Sequence, residues 1–108
     1  MLGMQVIDQS LIAEAGRRLA LAAPGARVIL FGSHARGEAD PHSDVDFLVI
    51  EPHVDDEAGE AVRLRRALRG LRLPTDIIVV GSRYAEDWAN VRGSLVHAVL
   101  SQGRVLAG

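Results

Sequence analysis

The chain contains no cysteine, no lysine and no long apolar run. Without cysteine, neither a disulfide framework nor a thiolate zinc site can form. A transmembrane helix needs about 20 consecutive apolar residues, and no segment of the sequence approaches that length. Residues 1–10 lack the basic start and the apolar stretch of a targeting signal. We therefore expect a soluble, cytoplasmic protein that does not contact membranes.

An excess of positive charge is also missing. The formal net charge is −2 at pH 7, whereas non-specific binding to nucleic acid requires a net basic surface. Direct binding of nucleic acid is therefore not expected to be the main activity. The 108 residues are enough for one hydrophobic core and too few for two. We expect one domain that spans residues 1–108.

The spacing of apolar residues predicts an α/β (α+β) fold. Helical periodicity indicates helices at residues 9–23, 55–70 and about 84–102. Runs of β-branched and aromatic residues indicate strands at residues 27–31, 44–51 and 75–80, with a short terminal strand at residues 104–106. These elements predict a small mixed sheet with helices packed against it. In the last helix, the residues expected to face the core are Trp88, Val91, Leu95 and Ala98.

The most informative segment is residues 32–46, whose sequence is GSHARGEADPHSDVD. Asp44 and Asp46 open a predicted strand. Because side chains alternate in direction along a strand, both carboxylates point the same way, about 6–7 Å apart. Two ionised acids on one face of a buried strand repel each other and lose solvation. A cation between them removes both penalties, so this pair predicts a metal site.

Asp76 lies near the start of the following predicted strand, as Asp44 does in its own. If the two strands are neighbours, Asp76 joins the face that carries Asp44 and Asp46. Three carboxylates would form the oxygen-rich environment that Mg²⁺ favours. In two-metal phosphoryl transfer, two ions about 3.5–4 Å apart activate the attacking hydroxyl and neutralise the phosphates. Asp76 could also accept the proton of the nucleophile.

Gly32 and Ser33 provide hydrogen-bond donors near these acids. Glycine lets backbone amides approach a phosphate closely, and the serine hydroxyl and the following amides can donate to its oxygens. Arg36 could reach the same phosphates, or it could pair with Glu38 or Asp40 and order the loop. The sequence does not separate these two roles.

The other polar residues of this region have structural as well as functional explanations. Ser43 could contact a nucleotide whose phosphates are bound by the Gly-Ser turn, or it could cap the turn before the next strand, and the second role is slightly favoured. The spacing of His34, His42 and His53 matches no common metal site, so we expect solvated loop histidines. His97, in the last helix, is expected to be structural.

Gly-Ser at residues 32–33, ten intervening residues and Asp-Val-Asp at residues 44–46 resemble the nucleotidyltransferase signature of the DNA polymerase β superfamily. The longer pattern Gly-Ser-x-Ala-Arg-Gly…Ser-Asp-x-Asp is similar to the minimal nucleotidyltransferase (MNT) branch of that superfamily. This resemblance implies transfer of AMP that depends on ATP and magnesium. MNT proteins are typically paired with a small helical HEPN-type RNase toxin and act as antitoxins that place AMP on a tyrosine of the toxin.

By this resemblance, Gly32 and Ser33 bind the triphosphate, and the magnesium ligands are Asp44, Asp46 and Asp76. Two other functions stay open. The chain could neutralise a toxin by forming a tight complex, without transfer of a nucleotide. A small-molecule transferase of the aminoglycoside-modifying type is disfavoured, because those enzymes hold the acceptor with a second domain and 108 residues leave no room for one.

Overall fold

The computed structural model describes residues 8–40 and 42–108. Along these residues the elements follow the order α1 (Gln9–Ala22), β1 (Arg27–Phe31), α2 (Ser33–Arg36), β2 (Val45–Glu51), α3 (Glu57–Ala67), β3 (Thr75–Gly81), α4 (Ser82–Trp88), α5 (Leu95–Gln102) and β4 (Arg104–Ala107). Within this part of the chain, no helix is long and apolar enough to cross a membrane.

The strands form a four-stranded mixed sheet in the order β3-β2-β1-β4. β1 runs antiparallel to both β2 and β4, whereas β2 and β3 are parallel. A parallel pair cannot be joined by a tight hairpin, and α3 provides the crossover between β2 and β3. The predicted mixed sheet is confirmed, with β3 and β4 as its edges.

Both faces of the sheet carry core residues, because side chains alternate along each strand. α1 and α3 pack on one face, where the core includes Ile12, Leu19, Val28, Phe47, Leu64 and Val79. α4 and α5 pack on the second face, where the core residues are Ile29, Leu48, Ile50, Val80, Ala85, Val96 and Val99. The second face is less completely covered, since Phe31 and Ile78 on it are only half-buried.

Acidic side chains fix the beginnings of two helices. Asp8 caps α1 by accepting a hydrogen bond from Ser10 N at 2.9 Å. Asp56 caps α3 by accepting a hydrogen bond from Gly59 N at 3.0 Å. These carboxylates satisfy amides that have no partner within the helix. α3 therefore begins at Glu57, slightly later than predicted.

The prediction of one continuous helix over residues 84–102 is wrong. The structure has two helices there, α4 and α5, separated by residues 89–94. Gly93 has a φ of 87°. This value lies outside the helical range, and glycine adopts it more readily than other residues do. Ser94 then caps α5 by accepting a hydrogen bond from His97 N at 3.0 Å. The chain therefore turns before the second helix begins.

This break changes which side chains are buried. Contrary to the prediction, four residues are exposed: Trp88, Val91, Leu95 and Ala98. The buried residues of the two helices are Ala85, Val96 and Val99. One helical period drawn through the break assigns the wrong face, because each helix has its own orientation. His97 has the expected structural role, since its Nδ1 lies 2.9 Å from Ala89 O.

Candidate active site

The turn after β1 is built around Gly32. Its φ of 77° and ψ of −157° lie in a region of backbone space that is essentially restricted to glycine. The short helix α2, which periodicity did not predict, begins at Ser33. Its first hydrogen bonds run from Ala35 N and Arg36 N to Gly32 O, at 3.1 and 3.2 Å. The amides of Ser33 and His34 precede these bonds and lie outside the helix's own hydrogen bonding.

Gly32 packs directly against Asp46. The antiparallel register pairs Phe31 with Asp46, which brings this carboxylate beside the turn. A Cβ atom at position 32 would lie 3.2 Å from Asp46 Cγ and closer still to its Oδ2. The lack of a side chain at Gly32 therefore allows the Gly-Ser turn and the carboxylate to meet.

Asp46 and Asp76 are neighbours in the sheet. The parallel pairing of β2 with β3 places Asp46 opposite Asp76, as the sequence predicted for adjacent strands. Asp46 alternates with Val45 and Phe47, which belong to the core under α1 and α3, so its side chain lies on the second, less covered face. Asp46 is half-buried, whereas Asp44 and Asp76 are exposed.

The charges of Asp44 and Asp76 act on the carboxyl group of Asp46. Burial raises the pKa of Asp46 above its usual value, and the negative charges of Asp76 and Asp44 raise it further. His34 and Arg36 act more weakly in the opposite direction. The result is a concentration of negative potential that a cation would relieve.

These acids do not form a complete metal site by themselves. Among residues 8–40 and 42–108, no group of three histidine, cysteine or acidic side chains could hold a metal ion. The structure brings Asp46 and Asp76 together as neighbours in the sheet, whereas the predicted convergence of three carboxylates is not present as a preformed ligand set. Mg²⁺ commonly binds through one or two carboxylates together with substrate phosphates and water. Carboxylates beside a turn with available amides fit a magnesium site that a bound nucleotide completes.

Arg36 orders the loop in this structure. Its Nε lies 2.7 Å from Glu38 Oε1, and both side chains are exposed. Because exposed ion pairs contribute little stability, Arg36 could leave Glu38 for another partner at a small cost in free energy. A phosphate bound at the adjacent turn could replace Glu38 as its partner, and that role stays a prediction.

Ser43 caps the turn before β2, the role that the sequence slightly favours. Its Oγ accepts a hydrogen bond from Asp40 N, and its own N donates to Asp40 O, both at 3.1 Å. The hydroxyl is therefore already engaged in local structure. A contact between Ser43 and a nucleotide stays a prediction, as do the binding roles of Gly32 and Ser33.

His34 is not the solvated loop residue that the sequence suggested. It is half-buried, and its Nε2 lies 3.1 Å from Ser43 O, so it ties α2 to the segment before β2. The partner is a backbone carbonyl in a distant part of the loop, which no spacing of side chains can indicate. His42 and His53 are exposed, as expected.

A mixed sheet that holds a Gly-Ser turn beside acids on one face is the arrangement expected of a nucleotidyltransferase. The chain belongs to the nucleotidyltransferase domain family, whose model matches residues 11–85. That range includes the turn and all three aspartates. The resemblance seen in the sequence is confirmed for the family, and the expectation of an enzyme of the nucleotidyltransferase class is confirmed with it. No curated protein matches the chain.

Solved structures share this fold. A candidate nucleotidyltransferase from Sulfolobus solfataricus is 22% identical, with a TM-score of 0.59 over 89% of this chain and 76% of that chain. A toxin–antitoxin structure with AMP-PNP is 23% identical, with a TM-score of 0.57 over 94% and 74%. The tri-AMPylated Shewanella oneidensis HEPN toxin in complex with MNT antitoxin gives 23% identity and a TM-score of 0.53 over 94% and 73%. At these identities the likeness establishes the fold alone.

Proposed function

We propose that this chain transfers AMP from ATP to a hydroxyl group of a partner protein, a tyrosine of a HEPN-family toxin, and thereby acts as an antitoxin. The observation that carries the proposal is the packing of Gly32 against Asp46, which joins the Gly-Ser turn to a carboxylate paired with Asp76. The structures of similar fold include a tri-AMPylated HEPN toxin bound to an MNT antitoxin, which supports this choice of reaction and partner.

The turn and the acids bind different parts of the nucleotide complex: the turn binds phosphates, and the acids bind magnesium ions. The amides of Ser33 and His34 and the Ser33 hydroxyl donate hydrogen bonds to the terminal phosphates. Asp44, Asp46 and Asp76 would hold magnesium ions, which supply neutralisation of the phosphates and activation of the acceptor hydroxyl when bound. Together these residues orient the α-phosphorus toward the acceptor.

Asp76 receives the proton of the acceptor. It is exposed and lies on the edge strand β3, where a protein partner can approach. The tyrosine oxygen attacks the α-phosphorus in line, the bond to pyrophosphate breaks, and the phenolic proton moves to Asp76. The products are a phosphodiester between AMP and the tyrosine, and pyrophosphate.

Neutralisation by complex formation alone is the second candidate, and one observation favours it. Tyr84 and Trp88 are exposed and stack on each other, with ring centroids 5.8 Å apart. Val91 and Leu95 follow them along the chain and are exposed as well. A group of exposed apolar side chains of this kind is typical of a surface that binds another protein. Such binding could occur with or without transfer of AMP. Under either candidate we expect a cytoplasmic hetero-oligomer with a HEPN toxin.

Intact-mass measurement of the partner separates these functions. A HEPN toxin is incubated with the chain, ATP and Mg²⁺ and is then weighed. Transfer predicts that the wild type adds one or more AMP groups and that Asp44→Asn adds none. Asp87→Asn, which removes an exposed acid on α4, is the charge-matched control and should stay active. A partner that is bound and inactivated but carries no AMP would overturn transfer. If an aminoglycoside in place of the toxin gained the mass of AMP, the result would support a small-molecule enzyme.

A further inference from the structure

Beside the Gly-Ser turn lies a groove that the proposed reaction leaves unassigned. Its volume is about 250 Å³, and the residues that line it include Phe31, Gly32, Arg36, Leu95, Ala98 and Gln102. They come from the end of β1, the turn with α2, and one side of α5. The groove therefore separates the turn from the last helix.

The groove suits a single ring system rather than a whole nucleotide. Pockets for drug-sized ligands have volumes of about 300–1,000 Å³, and this groove is smaller. Phe31 and Leu95 give it apolar surface, and Arg36 and Gln102 give it polar groups. This combination accommodates a flat heteroaromatic ring, which stacks on apolar and guanidinium surfaces and forms hydrogen bonds at its edge.

The position of the groove favours the nucleotide over the acceptor as its occupant. Gly32 lines the groove and belongs to the turn that is proposed to bind phosphates, and Arg36, at the end of the short helix that follows this turn, lines the groove as well. α5 packs on β1, whereas Asp76, which receives the acceptor's proton, lies on β3, the second strand from β1 and an edge of the sheet. A ring in the groove is therefore on the phosphate side of the site, away from the acceptor.

We propose that this groove binds the nucleobase of the donor nucleotide and that Gln102 selects adenine; the inference rests on the proposed transfer of AMP. The amide of Gln102 carries both a donor and an acceptor, which match N7 and the amino group of adenine. Guanine offers two acceptors at the corresponding edge. With guanine bound, one of these acceptors and the amide oxygen of Gln102 would lack a partner.

Calorimetry in the presence of Mg²⁺ with ATP, GTP and inorganic tripolyphosphate tests this assignment. Ala98→Trp fills the groove, and Ser101→Trp, at an exposed position of α5 that does not line it, is the matched control. We expect Ala98→Trp to weaken ATP binding about tenfold or more, with tripolyphosphate binding unchanged. Ser101→Trp should alter neither affinity. Gln102→Ala should reduce the preference for ATP over GTP about tenfold, and circular dichroism checks that each variant is folded.

Three results would overturn the inference. Equal affinity of the wild type for ATP and tripolyphosphate would mean that the base makes no contact, although the proposed function would survive. Unchanged ATP binding by Ala98→Trp, together with a loss of partner modification, would assign the groove to the acceptor. Failure of the wild type to bind any of the three ligands would remove the proposed function and the groove's assignment with it.

Discussion

Glu51 and Glu60 form a carboxyl pair whose protonation we expect to influence stability. Glu51 ends β2, and Glu60 lies on α3. The pKa of Glu51 is raised to about 7, mainly by burial and to a smaller extent by a hydrogen bond with Glu60 and by the negative charge of Glu60. Hydrogen bonds with Arg63 and Glu51 lower the pKa of Glu60 to about 2. Glu51 Oε2 is buried and has no hydrogen-bond partner among the described residues. We therefore expect that a proton shared between Glu51 and Glu60 stabilises the pair.

The contribution of Glu51 to stability should therefore fall as the pH rises through neutrality. Between about pH 4.5 and about pH 7, the folded chain keeps a proton that the unfolded chain releases. The change in the pKa of Glu51 corresponds to at most about 3 kcal/mol at about 1.4 kcal/mol per unit, and its partial exposure reduces this to about 1–2 kcal/mol. Glu60 acts in the opposite sense, because its stabilising contribution is lost as the pH falls from 4.5 toward about 2.

Glu51→Gln tests this reasoning. Glutamine keeps the size of the side chain and can donate to Glu60 at any pH. We expect the variant to match the wild type near pH 5 and to exceed its free energy of unfolding by about 1–2 kcal/mol at pH 8. Urea unfolding followed by circular dichroism at both pH values measures the difference, with Glu86→Gln at an exposed position of α4 as the control. A Glu51→Gln variant that is less stable than the wild type at pH 8 would refute the shared proton.

Three further substitutions test the site and its support. Gly32→Ala would place a Cβ atom against Asp46 at a backbone φ of 77°. Thermal unfolding should therefore show a loss of about 2 kcal/mol or more in the free energy of unfolding, and AMP transfer should disappear. A stable and active variant would contradict the packing of Gly32 against Asp46. Asp46→Asn relieves repulsion with Asp76, so the free energy of unfolding should hold or rise while the transfer rate falls at least about 100-fold. Arg63→Ala removes a 2.8 Å hydrogen bond to Ala22 O that joins α3 to α1 and should lower stability in urea by about 1–2 kcal/mol, with transfer by the folded variant unaffected.

Much of the site could be predicted because its signals lie close together in the sequence. The Gly-Ser turn and the two aspartates of residues 44–46 are separated by only ten residues, and the alternation of side chains along the predicted strand puts both acids on one face. In the structure β2 begins at Val45, so Asp46 lies within the strand and Asp44 directly precedes it. Asp76 was expected to join the face of these acids if its strand were their neighbour, and consecutive strands joined by a helix usually are neighbours. The structure confirms that β2 and β3 are adjacent, and its register adds that Asp76 lies opposite Asp46.

Other features depend on contacts that spacing does not encode. Apolar residues continue at helical intervals where the structure turns, through Trp88, Val91 and Leu95. Periodicity alone therefore predicts one helix, and the local signals for a break are Gly93 and the capping Ser94. The pairing of Glu51 with Glu60 joins a strand end to a helix surface. No sequence pattern predicts such a contact, because it depends on how α3 packs against the sheet.

The proposed function requires that the Gly-Ser turn and the acids beside it bind ATP and Mg²⁺ as one site. Calorimetric titration of ATP into the chain, with and without Mg²⁺, tests this requirement. We predict that the affinity for ATP falls at least about tenfold when Mg²⁺ is omitted and when Asp46 is replaced by asparagine, whereas Asp87→Asn keeps the affinity of the wild type. Equal affinity for ATP under all of these conditions would show that the turn and the acids do not form one site.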